Sequence, residues 1–438
     1  MNVVAYFAES LLKQTWSEIG SKLVMDKLHH TLGHLTADHS RSGLKKDHQS
    51  KRQKQNPTYF IKTFGCQYNK ADSQRIRGDF EARGYKPVAS WQECDELVIN
   101  TCAVRQSAED KVRGFLYNVS LYCHQPGVKK PKIILTGCMT HHGQTKLLEM
   151  MPMLDAVLPV GEVGFNQAPI RDDQVQAYVP ISTGCNSFCA YCIVPYSRGR
   201  EKSRSFDEIM AEIKSLVADS FTEITLLGMN VNSWGLEKVG IDLRKRMMRD
   251  DNFSRENLPD NQSQYLRPKT TPPFVRLLQA ISAIKQIKII RFMTSNPWDF
   301  HNELIEEIGQ NKKIDRYVHL PLQSGSNTVL GRMNRGYTRE KYLEVVAKLR
   351  QVDKNIVLGT DIIVGFPGET AAEFKETLDL VKQVGFKVGF VARYSPRPGT
   401  VSWRLYQDDV PASVKKRRWE VLDKLINKDN LQVRPKVV

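Results

Sequence analysis

The sequence predicts an α/β protein in which a doubly wound parallel sheet is followed by a partial (β/α)6 barrel. From Tyr59 onward, short runs rich in β-branched residues alternate with stretches of helical periodicity. A second series, of six strand–helix units, begins at Tyr178. Alternation of this kind favours parallel strands with helices packed on the sheet. No apolar run approaches the ~18–20 residues that a membrane-spanning helix needs.

The region 1–56 differs in composition from the rest of the chain. Apolar residues at helical spacing near its start are followed by a polar stretch rich in His, Lys and Arg. We therefore predict a basic N-terminal extension that is partly helical or disordered. The histidines in it repeat no ligand spacing, which favours a solvated tail over a metal-binding or RNA-binding arm.

The first folded domain is predicted to span 57–165. Its expected strands are the runs YFIKTFG, ELVINT, PKIILTG and AVLPVG, with helical patterns between them. The second domain is predicted to span 174–425, with a polar, charge-rich insertion at 236–272 and a tail at 426–438. Six strand–helix units are fewer than the eight of a closed barrel, so the barrel should be partial.

Charge and cysteine content narrow the function. Lys and Arg number 64 against 48 Asp and Glu, a formal charge of +16. Such an excess favours a polyanionic partner, nucleic acid before an anionic membrane surface, although a merely basic enzyme is the alternative. The N-terminus carries no secretory signal pattern, so we expect a reducing cytoplasm, where clustered cysteines serve as metal ligands or catalytic thiols more often than as disulfides.

A first cysteine trio follows three predicted strands. Cys66, Cys102 and Cys138 are spaced 36 residues apart, and each comes directly after an apolar run. Because parallel strands end at one edge of a sheet, these thiols should converge. Three thiolates suit zinc with a fourth ligand, or an iron–sulfur cluster with one open iron. Buried structural cysteines are the alternative, and it is the preferred interpretation of Cys94 and Cys123.

A second cysteine trio has the spacing C-x3-C-x2-C, at Cys185, Cys189 and Cys192, after the first barrel strand. Three close thiolates on one loop can hold three irons of a [4Fe–4S] cube. The fourth iron is then open to an amino-carboxylate such as the methionine end of S-adenosylmethionine. A zinc site would need a fourth Cys or His nearby, and the sequence offers none there.

Long ordered motifs make the chain resemble the radical S-adenosylmethionine methylthiotransferases, over about residues 58–425. Within that family it is most similar to the tRNA branch that acts on N6-isopentenyl (dimethylallyl) adenosine. The motifs are TFGCQYNKADS, NTCAVRQSAEDKV, GCNSFCAYCIVPYSRGRE, LLGMNVNSWG, HLPLQSGS, MNRGYTRE and DIIVGFPGET. Gln67, Tyr68 and Asn69 after the first cysteine favour the tRNA branch over the ribosomal-protein branch.

The resemblance implies two [4Fe–4S] clusters and S-adenosylmethionine as cofactors. Cleavage of S-adenosylmethionine at Cys185, Cys189 and Cys192 would generate the radical that activates adenine C2, and the cluster on Cys66, Cys102 and Cys138 would deliver sulfur. Contacts to S-adenosylmethionine are expected from five strand-end residues, although turn formation is an alternative role for several. They are Gly228, Asn230, Asn232, Ser295 and Gln323. Arg198 and Arg200 are expected to touch substrate phosphates or the S-adenosylmethionine carboxylate, unless they are merely solvated.

The resemblance also implies partners. We expect tRNA, an electron donor such as flavodoxin or ferredoxin, a monomer, no membrane association and a cytoplasmic location. The family usually ends in a small TRAM barrel, for which residues after 425 leave no room, so either the sequence is truncated or RNA is held by other basic surfaces. We hypothesise that the basic extension and the insertion bind RNA in place of that barrel. The basic residues of the insertion are Arg244, Lys245, Arg246 and Arg249. Alternatives are the threonylcarbamoyl-adenosine branch, a non-catalytic RNA-binding iron–sulfur protein and a zinc-binding module.

Overall fold

The structure is a computed structural model that describes residues 56–104, 106–160, 168–237, 239, 241, 244–245 and 271–428. The predicted N-terminal extension lies outside the described residues except for residue 56, and so do most of the insertion and residues 429–438 of the predicted tail. All described residues belong to one unit, Asn56–Val438. No helix in these ranges is long and apolar enough to cross a membrane.

The first domain is built on one parallel sheet. Its elements are β1 (Thr58–Thr63), α1 (Gln67–Ala82), β2 (Lys86–Pro87), β3 (Glu96–Thr101), α2 (Gln106–Cys123), β4 (Lys132–Gly137), α3 (Gln144–Met150) and β5 (Ala156–Val157). The strand order is β2-β1-β3-β4-β5, with every pair parallel. This confirms the predicted sheet and its four strands. The two-residue β2 was missed because so short a strand has no periodicity.

Helices cover both faces of this sheet. Leu97 and Ile99 of β3 join one apolar cluster with residues of α2, whereas Val98 joins a second cluster with Ile76 and Phe80 of α1. A strand buried on both faces reads as a continuous apolar run, which is why ELVINT was recognisable in the sequence. Burying each such side chain stabilises the fold by about 1.5–3 kcal/mol.

The second domain is an open barrel of six parallel strands. Its elements are β6 (Gln176–Pro180), β7 (Ser182–Thr183), α4 (Val194–Ser197), β8 (Lys202–Ser203), α5 (Phe206–Ala218), β9 (Glu223–Leu227), α6 (Pro273–Ser282), β10 (Ile289–Phe292), α7 (Asn302–Gln310), β11 (Tyr317–His319), α8 (Asn327–Arg332), α9 (Arg339–Val352), β12 (Val357–Val364), α10 (Ala371–Val384), β13 (Val388–Arg393), α11 (Val401–Leu405) and α12 (Ala412–Asn427).

The barrel strands follow one another in chain order. The described strands pair as β6-β9-β10 and β11-β12-β13, and a parallel bridge between Ile290 and Ile314 continues the curvature from the first set towards the second. Each of the six predicted strands is present. The predicted first strand, YVPIST, is divided in the structure into β6 and β7, and β7 pairs antiparallel with β8, a two-residue strand that was not predicted. All six barrel strands direct their carboxyl ends to one rim, where the site described next is located.

Local signals set the helix ends. Ser205 accepts a hydrogen bond from the Glu208 backbone N–H, and the Glu208 carboxylate accepts one from the Ser205 backbone N–H. This capping box fixes the start of α5. The same arrangement of Thr370 and Glu373 begins α10, which ends at Gly385 in the left-handed conformation. Both helices therefore start at defined residues on the outer surface of the barrel.

Candidate functional site

The first cysteine trio lies at the carboxyl edge of the first sheet. Thr101 pairs with Gly137 at the ends of β3 and β4, so Cys102 and Cys138 leave neighbouring strands at the same level. Cys66 is the N-cap residue of α1, just after β1. Although Cys66 is open to solvent, the protein around its sulfur desolvates the thiolate, and this effect together with the charge of Cys138 raises its pKa. The pairing of β1, β3 and β4 therefore brings the three cysteines to the same edge of the sheet.

Gly137 makes this convergence possible. Its φ is +93°, and a Cβ there would lie 2.2 Å from the Thr101 carbonyl oxygen. Only glycine tolerates that conformation and that approach. Asn69, in the first turn of α1, donates to Asn100 Oδ1 and to the Thr101 carbonyl oxygen, each at 3.0 Å. The start of α1 is thereby tied to the end of β3.

The second trio lies in the loop between β7 and α4. Antiparallel pairing of β7 with β8 returns the chain past its own start and closes this loop. The Cys185 backbone N–H donates to the Gly199 carbonyl oxygen at 3.1 Å. Gly184 has a φ of +71°, and a Cβ on it would lie 2.2 Å from the Arg200 carbonyl oxygen. The closure of the loop thus depends on a glycine, as the first trio does.

Two thiols of the second trio, those of Cys185 and Cys192, resist ionisation on their own. Burial, with a smaller contribution from the charge of Glu201, raises the pKa of Cys185 to about 11. Burial raises the pKa of Cys192 as well, and the charges of Cys189 and Cys185 add to this effect. The three cysteines lie within eight residues of one closed loop. A positively charged iron cluster would deprotonate such thiols on binding.

The donor chemistry of both trios fits iron–sulfur cubes. Among the described residues, no three His, Cys, Asp or Glu side chains lie close enough to ligate a single metal ion. A cube gives each cysteine a different iron, so it accepts sulfurs that stand farther apart than the ligands of one ion. Each trio offers three soft thiol donors, which leaves one iron of a cube without a protein ligand.

In each trio, one sulfur accepts a hydrogen bond from a buried arginine, and the two arginines are different residues. Arg198 Nε lies 3.2 Å from Cys138 Sγ, and its Nη2 lies 2.8 Å from Asp72 Oδ2. Arg335 Nη1 lies 3.3 Å from Cys189 Sγ. Because Arg198 follows the second trio in the chain but contacts a sulfur of the first, the two trios lie on the same side of the molecule.

These contacts revise one expectation and add a residue. Arg198 was expected to touch substrate phosphates or the S-adenosylmethionine carboxylate unless it was merely solvated, but its side chain is 1% exposed and is paired with Asp72. The solvated alternative is therefore wrong, whereas the contact with a ligand stays a prediction, since Arg198 Nη1 has no hydrogen-bond partner among the described residues. Arg335 was missed altogether, since it is 146 residues from Cys189 and no local pattern connects the two.

Three of the predicted S-adenosylmethionine contacts meet beside the second trio. A Cβ on Gly228 would lie 2.7 Å from Ser182 Oγ, which places the end of β9 against β7. Asn232 Nδ2 donates to the Asn296 carbonyl oxygen at 2.9 Å, and the Asn296 backbone N–H donates to Asn230 Oδ1 at 3.2 Å. Asn296 also donates to Ser187 Oγ of the trio's own loop, at 3.3 Å.

The remaining two predicted contacts differ from each other. Ser295 is buried beside Asn296, and its Oγ has no hydrogen-bond partner among the described residues. Gln323 ends the β11 segment with a φ of +65°, and its backbone N–H donates to the Asp361 carbonyl oxygen at 2.8 Å. Within the described ranges, no hydrogen bond joins the Gln323 side chain to the other four residues.

Buried polar atoms without a hydrogen-bond partner are frequent at this rim. In the described part of the chain they include Ser182 Oγ, Glu201 Oε2, Arg244 Nε and Nη2, Ser295 Oγ, Trp298 Nε1 and Asp299 Oδ1. Buried polar groups in native proteins are nearly always paired, so this set indicates a place for a polar ligand. The amino, carboxylate and ribose groups of S-adenosylmethionine match such donors and acceptors, and the residues present therefore fit it.

Two charged residues of the rim, Glu201 and Arg244, were not predicted as site residues, although Glu201 ends the motif GCNSFCAYCIVPYSRGRE. Burial raises the pKa of Glu201 to about 7, and the charge of Arg244 opposes that shift. Arg244 and Lys245 were hypothesised to bind RNA, but both are buried, with 1% and 4% of their surfaces exposed. That hypothesis is wrong for these two residues, whereas Arg246 and Arg249 lie outside the described residues.

Comparison with known proteins shows which families and folds this chain is similar to. The pattern of the Radical SAM superfamily matches residues 179–381, and that of Uncharacterized protein family UPF0004 matches residues 58–159. A radical S-adenosylmethionine methyltransferase, TsrM from Kitasatospora setae, solved with cobalamin and a [4Fe–4S] cluster, aligns with a TM-score of 0.52 over 80% of this chain and 77% of that chain. At 13% identity, this likeness concerns the fold alone.

Sequence relatives are much more similar. The tRNA-2-methylthio-N(6)-dimethylallyladenosine synthase of Clostridium botulinum is 38% identical over 400 residues, which cover 84% of this chain and 81% of that protein. The synthase of the same name from Desulforamulus reducens is 39% identical over 405 residues, covering 85% and 81%. With the superfamily match and the two cysteine trios, these similarities show that the chain is a radical S-adenosylmethionine enzyme and belongs to the methylthiotransferase family.

Proposed function

We propose that this enzyme adds a methylthio group to C2 of N6-isopentenyl (dimethylallyl) adenosine beside the anticodon of tRNA. Relatives that carry the name of this activity, at 38% identity over most of both chains, support the substrate. The structural observation that carries the proposal is the presence of two separate cysteine trios, with Arg198, six residues after the second trio, hydrogen-bonded to Cys138 of the first. An insertion of sulfur into a C–H bond needs both a radical generator and a sulfur source on one side of the molecule.

Adenine C2–H is neither acidic nor electrophilic, so a cofactor must carry the difficult step. When bound, two [4Fe–4S] clusters and S-adenosylmethionine supply the radical, the sulfur and the methyl group. In this proposal Cys185, Cys189 and Cys192 hold the cluster that contacts S-adenosylmethionine. The other cluster is held by the remaining trio, Cys66, Cys102 and Cys138.

The chain's own residues keep the second trio in one geometry. The Ala190 backbone N–H donates to the Met333 carbonyl oxygen at 2.9 Å, and Asn334 Nδ2 donates to the Phe188 carbonyl oxygen at 3.0 Å. Phe188 has a φ of +44°, a conformation that costs about 1–3 kcal/mol in a non-glycine residue. Two anchors to the end of α8 offset that strain, so the loop is positioned before any cofactor binds.

Several finer expectations belong to the same proposal. The formal charge of +16 suits a tRNA partner. An electron donor such as flavodoxin or ferredoxin, a monomeric state and a cytoplasmic location are proposed with it. The domain limits at 57–165 and 174–425 are proposed as functional units, the first for sulfur delivery and the second for radical generation.

Anaerobic reconstitution followed by nucleoside analysis tests the function. The reconstituted enzyme should bind about eight irons. With S-adenosylmethionine and a reductant, it should form 5′-deoxyadenosine and convert isopentenylated tRNA to the 2-methylthio nucleoside. Conversion of threonylcarbamoylated tRNA instead would assign it to the other tRNA branch. Iron-loaded protein that binds tRNA without forming 5′-deoxyadenosine would contradict the proposal and indicate a non-catalytic binding protein.

A further inference from the structure

We propose that Arg244, a residue of the 236–272 insertion, binds the carboxylate of S-adenosylmethionine through its Nε–Nη2 edge. The inference rests on the proposed function, because it adds a residue to the cofactor site of that same reaction. It concerns a segment whose sequence gave no motif and whose charges suggested an exposed RNA-binding surface.

Arg244 is fixed among the strand-end residues of the barrel. Its side chain is 1% exposed, and its Nη1 lies 2.8 Å from Asp299 Oδ2, a carboxylate with no exposed surface. The same Asp299 oxygen accepts a hydrogen bond from Asn230 Nδ2 at 3.0 Å. Asn230 lies three residues after the end of β9, so the guanidinium is held at the rim beside the second trio's loop.

The rest of the guanidinium is unused. Neither Nε nor Nη2 of Arg244 has a hydrogen-bond partner among the described residues. These two nitrogens lie on one edge of the planar group, and their N–H bonds match the two oxygens of a carboxylate. Leaving buried charged donors unpaired costs more free energy than leaving neutral ones unpaired, so the free edge points to a carboxylate ligand.

A second buried arginine provides a contrast. Arg418 pairs with Glu369 through Nη1 and Oε2 at 2.7 Å, a geometry similar to that of Arg244 and Asp299. None of the Arg418 nitrogens is both buried and unpaired in the described part of the chain. Other ion-paired arginines of the described residues, Arg171, Arg198, Arg332 and Arg397, each have one buried nitrogen without a partner, whereas Arg244 has two, Nε and Nη2.

The charges around Arg244 favour a zwitterion over a simple anion. Glu201 Oε2 and Asp299 Oδ1 are buried acceptors without a donor among the described residues. Two buried carboxyl groups disfavour a phosphate, but they complement an ammonium group that arrives beside a carboxylate, and such a cation favours the ionised form of Glu201. An α-amino acid carries both groups on one carbon, and S-adenosylmethionine ends in an α-amino acid. The ligand class thus follows from the arrangement of charges.

Lys245, the residue after Arg244, is hydrogen-bonded to the loop of the second trio. Its Nζ donates to the Ser187 and Asn334 carbonyl oxygens, each at 3.0 Å. A Cβ on Gly336 would lie 2.2 Å from Lys245 Cγ, so the lysine stem passes directly against that glycine. The insertion is therefore fastened to the loop of the second trio at the residue next to Arg244.

Two ligands separate carboxylate binding from a structural role. The full-length, iron-loaded protein is kept oxidised, so that no turnover occurs, and its dissociation constants for S-adenosylmethionine and for decarboxylated S-adenosylmethionine are measured by equilibrium dialysis. We expect Arg244→Gln to weaken S-adenosylmethionine binding by about 10- to 100-fold, as loss of a charge-assisted pair predicts. Binding of decarboxylated S-adenosylmethionine should change little, because this ligand has no carboxylate for Arg244 to bind.

Arg244→Lys is the variant to measure if Arg244→Gln fails to load iron. It keeps the charge opposite Asp299 but lacks the planar edge, so it should also weaken S-adenosylmethionine binding more than binding of the decarboxylated ligand. Arg418→Gln is the matched control, which should lower stability without distinguishing the two ligands. An equal loss for both ligands, or no loss, would overturn the assignment. Failure of the unaltered protein to bind S-adenosylmethionine would instead contradict the proposed function.

Discussion

The two cysteine trios are assembled in opposite ways. Cys66, Cys102 and Cys138 leave three strands of one sheet, so they meet only when β1, β3 and β4 are paired in register. The second trio spans the eight residues 185–192 of one loop, which the β7–β8 pairing closes. One site therefore depends on a whole domain and the other on a local turn. This difference predicts that the two sites can be lost separately.

Removing one cysteine at a time tests the separation most strongly. Cys189→Ala should abolish both 5′-deoxyadenosine formation and the methylthio product, because the radical generator is lost. Cys102→Ala should abolish the product but leave 5′-deoxyadenosine formation in place. Each variant should bind about four irons rather than eight. The measurements are iron analysis, chromatography of 5′-deoxyadenosine and mass spectrometry of tRNA nucleosides.

Cys123→Ala is the control for the loss of a thiol. Cys123 is half-buried at the end of α2 and belongs to neither trio, so this variant should keep its iron and both products. If Cys102→Ala stopped 5′-deoxyadenosine formation while the second cluster remained bound, the two trios would not have separate roles.

Glycine substitutions test how each trio is assembled. Gly137→Ala places a Cβ 2.2 Å from backbone oxygen at φ +93°, so we expect a loss of at least ~3 kcal/mol in the free energy of unfolding of the iron-free chain. The first cluster should be lost while the second persists. In Gly184→Ala the added Cβ would lie 2.2 Å from the Arg200 carbonyl oxygen. In this variant the second cluster should be lost while the first persists. Urea denaturation and iron analysis measure both.

Gly127→Ala is the matched control for positive φ alone. Gly127 has a φ of +79° but nothing within 4 Å of an added Cβ, so the expected cost is about 1 kcal/mol. If Gly127→Ala and Gly137→Ala were equally destabilising, close packing at Gly137 would not be what positions Cys138.

The same contrast explains what could be read from the sequence. The strands of the first sheet were predictable because burial on both faces makes them continuous apolar runs, and the cysteine after each run fixed the first trio. The second trio was predictable from its spacing alone. The two-residue strands β7 and β8 carry no periodic signal, although they close the loop.

Charged contacts across the fold were beyond sequence reasoning. Arg335 reaches Cys189 across 146 residues, and Arg198 reaches Cys138 across 60. Arg244 lies in a stretch whose composition is typical of an exposed loop, yet it is buried. In each case the partner is set by the approach of two elements, and neither element has a local pattern that indicates which residues will meet.

The arginine beside each trio should give a smaller, site-specific effect. A positive N–H donor near a cluster sulfur stabilises the reduced state, which carries one more negative charge. Arg198→Gln should therefore lower the midpoint potential of the first cluster, and Arg335→Gln that of the second. The expected shifts are on the order of tens of millivolts, a change of about 1 kcal/mol for one electron. Potentiometric titration followed by electron paramagnetic resonance measures them.

Asp72→Asn provides the opposite change at the first trio. Asp72 pairs with Arg198 at 2.8 Å, so its loss leaves the arginine charge uncompensated and should raise the potential of the first cluster only. Among the described contacts of Arg335 there is no carboxylate, and its shift therefore reports the arginine alone. A shift of both clusters in one variant, or an upward shift after loss of either arginine, would show that the two centres do not have separate electrostatic environments.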